Sequence, residues 1–183
     1  MITTEQETAI RDVLATMPHL AVGVGTVEQA CSIAALNLGL TGTLTDTVPD
    51  CMSRVIGSWI IGVQDRMPDT IRDSAAWREL LVLSAGTGRG YEAERLALAL
   101  SWMWKALALV QPRAAYAVAA AVAAADAYAD AAAAAVADAV AYAVADAAAY
   151  ADAAEDAWAT IDPVGMLRRL IAVTDERALA VQP

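Results

Sequence analysis

Residues 50–68 read DCMSRVIGSWIIGVQDRMP. Met52, Val55, Ile56, Trp59, Ile60, Val63 and Met67 recur there at helical spacing, and Pro68 closes the run. Asp50 stands where an N-cap belongs, so the stretch predicts an amphipathic helix with one broad apolar face. Such a face must be covered by other elements, and the flanking sequence offers helices to cover it.

Upstream, Thr4 with Glu7 and Thr26 with Gln29 form capping-box patterns. The first precedes Ile10, Val13, Leu14 and Met17 and ends before Pro18. The second precedes Ala30, Ile33, Ala34 and Leu38, with Gly39 as the C-terminal stop. Downstream, Asp73 or Ser74 can cap a helix carrying Trp77, Leu80 and Leu81, which ends in the glycine-rich residues 84–90, SAGTGRG. Residues 91–111 follow as a helix, apolar along Leu96, Leu100, Met103, Leu107 and Val110. Leu98, Trp102, Trp104 and Leu109 widen that surface, so this helix is expected to be central and largely buried. Asp162 and Pro163 give an N-cap and N1 pair for a last helix with Met166, Leu167, Leu170 and Ile171. Trp59, Leu100 and Met103 are expected in the core.

Residues 114–158 interrupt this pattern with 28 Ala in 45 positions and no Lys, Arg or Gly. Every odd position from 115 to 153 is Ala, but Val, Tyr and Asp share the even parity. The alternation therefore does not separate an apolar strand face from a polar one. Ala has the highest helix propensity, so the segment reads as a long helix or a helical hairpin. The expectation is an all-α fold, a compact helical bundle of about six or seven helices in one domain spanning 1–183. Residues 1–113 form the main core, 114–158 the Ala-rich helical segment, and 159–183 the C-terminal helix and tail. An Ala surface has little bulk, so it gains stability by close packing against another helix, which makes a homo-oligomer the expected form.

Charge and cysteine content narrow the function by exclusion. Twelve Lys and Arg against 22 Asp and Glu leave a net charge of -10, which argues against duplex nucleic acid as a partner. Seven of the acids fall in 114–158, where they keep an Ala-rich helix solvated. The first twelve residues lack a basic segment followed by an apolar one, and no stretch reads as a membrane span. Cys31 and Cys51 make no disulfide framework, so the expected location is cytoplasmic.

Chemistry-bearing residues are few. His19 is the single histidine and sits at a helix end, where packing is the expected role. Together with Cys31 and Cys51 it lacks metal-ligand spacing, so neither metal nor cofactor is expected, and no catalytic residue is assigned. The glycine-rich run is the most suggestive feature. Gly86, Gly88 and Gly90 can turn backbone N–H groups toward an anion ahead of a helix, and Arg89 sits among them. The run lacks the Gly-Lys-Ser/Thr ending of a nucleotide-binding phosphate loop. Arg54, Arg95 and Trp102 could add guanidinium and aromatic contacts, so the expected ligand-binding set is Gly86, Gly88, Arg89, Arg54, Arg95 and Trp102.

Residues 51–104, CMSRVIGSWIIGVQDRMPDTIRDSAAWRELLVLSAGTGRGYEAERLALALSWMW, resemble a group of small uncharacterised helical proteins encoded in phages and prophages. The Ala-rich segment is similar in composition to Ala-rich bacterial immunity proteins. The first resemblance implies a viral or mobile-element accessory protein and carries no assigned catalytic residue. The combined expectation is a non-enzymatic binding protein, such as a phage-encoded inhibitor that sequesters an anionic signalling nucleotide or binds a host protein. A structural or scaffold component of a phage or bacterium is the alternative, and a small hydrolase the third class.

Overall fold

The structure, a computed structural model, describes residues 2–110 and 154–174, and its regular elements there are helices. They are α1 (Thr4–Thr16), α2 (Ser32–Thr41), α3 (Arg54–Gln64), α4 (Asp69–Arg72), α5 (Ala75–Ser84), α6 (Glu92–Val110), α7 (Ala154–Ile161) and α8 (Pro163–Ile171). The expected Ala-rich helix or hairpin falls outside the described residues up to 153, and only its last residues appear, at the start of α7.

The apolar face of residues 50–68 behaves as its spacing requires. Met52, Val55, Ile56, Trp59, Ile60, Val63 and Met67 are all buried. Around α3 pack α2, α6 and α8, and α8 also lies on α5 and α6. Trp59 is the hinge of this core: its ring lies 6.3 Å from Trp77 of α5 and meets Trp102 of α6 edge-on at 5.5 Å. With no Phe in the chain, these indoles supply the large core volume. Two of them place their polar handles well, Trp77 Nε1 donating to Ser32 Oγ at 3.1 Å and Trp102 Nε1 to the Ile161 carbonyl at 2.7 Å. The Trp59 Nε1 is buried without a partner.

Several helix boundaries differ from the sequence expectation, each for a local reason. The first capping box uses Thr3 and Gln6, one position upstream, which leaves Glu7 to pair with Arg11 one turn later. Thr26 and Gln29 do close a turn, Thr26 Oγ1 accepting the Gln29 N–H. That turn belongs to a tight loop bridged at Gly25 and Ala30, and α2 begins later, with Cys31 as N-cap. Gly39 does not stop α2. A Cβ there would stand 2.6 Å from Ile10 Cα, so glycine lets α2 cross closely over α1. The stop is Gly42, whose φ of +71° suits the left-handed cap. Ser53 caps α3 in place of Asp50, and Ser74 caps α5.

The expected apolar stripe of α6 is also rotated. Its buried face is Arg95, Ala99, Trp102, Met103 and Ala106, with Leu96 and Leu100 half-buried beside it. Small Ala99 and Ala106 allow close approach to neighbouring helices, while the longer leucines fill the flanks. At the last helix, Asp162 adopts φ +46° and its side chain accepts the Gly165 N–H at 2.9 Å. Any Cβ at Gly165 would collide with that carboxylate.

Candidate functional site

The glycine-rich corner reads in sequence as an interhelical turn, with a cradle for an external anion as the alternative. In the structure part of it is turned inward. Gly88, at φ +63°, gives its N–H to the Cys51 carbonyl at 2.8 Å, and Thr87 Oγ1 accepts the Ser53 N–H at 3.0 Å. The loop therefore docks on the segment that starts α3. There the exposed N–H groups receive a carboxylate from within the chain: Glu92 accepts Arg54 N–H at 2.7 Å, Val55 N–H at 3.1 Å and the Ser53 hydroxyl at 2.7 Å. A helix N-terminus favours an anion, and Glu92 is that anion.

The expected ligand-binding residues do not converge on one ligand. Arg89 donates to Asp50 Oδ1 at 3.1 Å and to the Pro49 carbonyl at 3.4 Å, while its Nη1 is buried without a partner. Arg54 is exposed at the start of α3, and its backbone N–H is held by Glu92. Gly86 faces only Ile2, at ordinary contact distance, so nothing there demands glycine. Trp102 lies away from this corner, with its indole N–H on Ile161.

Arg95 departs most clearly from the expectation. It is 2% exposed, and its guanidinium donates to the Gly90 carbonyl at 2.6 Å, Leu170 at 3.2 Å, and Gly88, Thr87 and Val173 at 3.4 Å. The loop therefore turns carbonyls toward a cation inside the fold. Burial lowers the Arg95 pKa, opposed by the charges of Glu92 and Glu94. Two more arginines work alike. Arg72 donates to the carbonyls of Gln64 at 2.9 Å, Met67 at 3.1 Å and Leu20 at 3.1 Å, and pairs with Asp69. Arg78 donates to the carbonyls of Leu14 at 2.7 Å, Asp73 at 3.1 Å and Pro18 at 3.2 Å. These three side chains cap the C-terminal carbonyls of α8, α3 and α1 and tie each end to a distant loop. A cation there also complements the helix dipole.

The remaining reactive groups are separate. His19, 65% exposed on its side chain, places Nδ1 2.8 Å from Asp73 Oδ2, and Asp73 Oδ1 accepts the Leu20 N–H at 2.8 Å. Burial raises the Asp73 pKa. The His19 and Leu20 hydrogen bonds and the His19 and Arg78 charges outweigh it, holding the carboxyl below its ordinary value. Burial pushes both thiols up, at Cys31 against hydrogen bonds to its sulfur and at Cys51 against the nearby Arg89 charge. Among the described residues no three His, Cys, Asp or Glu side chains group as a metal site.

Two concave surfaces stand apart from these clusters. A groove of about 250 Å³ between α1 and α5 has Leu14, Ala15, Ala75 and Val82 as its apolar part, and the Arg11–Glu79 ion pair spans the two helices. A cavity of about 350 Å³ lies where α6, α7 and α8 meet, bounded by Trp102, Ala106, Ala159, Thr160, Asp162 and Arg169. Trp102 is the expected site residue that lines it. The sequence reading missed Arg169, Thr160 and Glu92. Glu92 carries a partial signal, an acid in the first turn of a helix, but the helix end it serves is not its own.

Comparison with protein-family models, curated proteins and solved structures finds no match to this chain. No helix among the described residues is long and apolar enough to cross a membrane.

Proposed function

We propose that this protein is a non-enzymatic binding protein, which captures its target without transforming it. One observation carries the reading: the α1–α5 groove and the α6–α7–α8 cavity are lined by arginines, acids, a threonine and small or apolar side chains, and by neither His19, Cys31 nor Cys51. The lining carboxylates are committed, Glu79 to Arg11 and Asp162 to the Gly165 N–H. Binding needs shape and a few fixed polar groups, whereas acid–base or nucleophilic chemistry needs a reactive group at the cavity wall.

In biological terms the proposal is a phage-encoded inhibitor, working as a homo-oligomer in the host cytoplasm. Its target is an anionic signalling nucleotide or a host protein. The α1–α5 groove favours the protein target as a second reading, because an apolar centre beside an ion pair matches the anatomy of a protein interface.

Incubation with a host-cell extract tests the proposal. Capture predicts one compound or protein depleted from the extract and recovered unchanged after the protein is denatured. Depletion with a new product left in solution would make the protein an enzyme, and no depletion would favour the scaffold reading.

A further inference from the structure

We infer that the cavity between α6, α7 and α8 is a binding site for a small anion of nucleoside-monophosphate size, with one planar ring system and one phosphate, an inference that rests on the binding-protein reading. Its volume of about 350 Å³ is at the lower end for ligand pockets, which suits one ring system with one anionic group. The walls divide into two chemistries. Trp102, Ala106, Ala159 and Ile161 supply apolar carbon. The indole of Trp102 is 7% exposed and pinned by its N–H on the Ile161 carbonyl, so it offers a rigid apolar edge at little entropic cost.

Among the polar groups of the lining, Thr160 supplies a hydroxyl, Arg169 a guanidinium and Asp162 a carboxylate. Arg169 differs from the buried Arg72 and Arg95: its side chain is 63% exposed, and it approaches Asp162 only to 4.0 Å. Asp162 gives Oδ1 to the Gly165 N–H that starts α8, and its Oδ2 is the atom that stands 4.0 Å from Arg169. A guanidinium held this loosely can take a phosphate in its planar fork. The ring of the ligand then lies on the Trp102 side and the anionic group between Arg169 and Thr160.

Calorimetric titration with adenosine monophosphate, adenosine and inorganic phosphate tests the site. Monophosphate is expected to bind, adenosine about tenfold or more weakly, and phosphate not measurably, because each probe lacks one half of the recognition. Arg169→Gln should weaken monophosphate binding by about tenfold or more. Ala159→Leu, on the exposed side of α7, should abolish it by filling the cavity. Both variants should keep the wild-type melting temperature without nucleotide. Absence of monophosphate binding, or equal affinity in Arg169→Gln, overturns the site. If the host-cell extract still yields an unchanged captured compound or protein, that failure belongs to the site and its ligand class, and the binding-protein reading stands.

Discussion

Replacing Arg95 with Met would remove the guanidinium and keep an unbranched apolar stem in its place. Two of its contacts, to Gly90 at 2.6 Å and Leu170 at 3.2 Å, have ordinary hydrogen-bond lengths, and the other three lie near the limit at 3.4 Å. A hydrogen bond to a charged group contributes about 1.5–3 kcal/mol, so the two short ones give about 3–6 kcal/mol with the long ones set to zero. Burial already lowers the Arg95 pKa, so its removal also relieves a desolvation cost and points to the lower half, about 3–4 kcal/mol. For a chain of this length that is a fall in melting temperature of roughly 6–16 °C. Urea unfolding followed by tryptophan fluorescence measures the loss, with Arg95→Lys expected to recover only part of it, because an ammonium cannot fork toward α8 and the loop together. A loss under about 1 kcal/mol at unchanged denaturant slope would refute the argument and return Arg95 to the set of ligand-facing arginines.

Gly39→Ala places a Cβ against the Ile10 backbone, which cannot rotate aside; overpacking of about 1–3 kcal/mol should exceed the helix-propensity gain of about 1 kcal/mol, and chemical denaturation reads the difference. Trp59→Ala should lose about 3–5 kcal/mol, since the ring is fully buried between Trp77 and Trp102, and a variant of native stability would show that the three indoles do not form the core. Asp73 has a folded pKa below its ordinary 3.8, so its contribution is complete above that value and is lost as pH falls through the folded value. Asp73→Asn should therefore be less stable than wild type at pH 7, and the two should converge in acid denaturation below about pH 4. A constant difference across that range would mean that the Asp73 charge is not what matters.

The fold was legible where one helix carries its own message. The apolar spacing of 50–68, the Asp162–Pro163 start and the Trp77, Leu80 and Leu81 face all describe single helices, and their residues are buried accordingly. The site was not, because its determinants join distant parts of the chain. Arg95 serves the end of α8, Arg78 the end of α1, and Glu92 the start of α3. In sequence each is only a charge in a helix, and a glycine-rich loop beside Arg89 looks like an anion cradle until Glu92 and Arg95 are placed around it. Gly39 shows the same limit, since a glycine near a helix end reads as a stop and only the crossing with Ile10 reveals its use.

The central claim is that the interior arginines hold the fold while the cavity at Trp102 and Arg169 meets the ligand. The most direct measurement follows the five tryptophan indole N–H resonances by NMR during titration with adenosine monophosphate, the Trp102 signal being assigned through Trp102→Phe. The account predicts saturable movement of the Trp102 resonance with Trp59 and Trp77 stationary. Movement of no indole, or uniform movement of all of them, would contradict it.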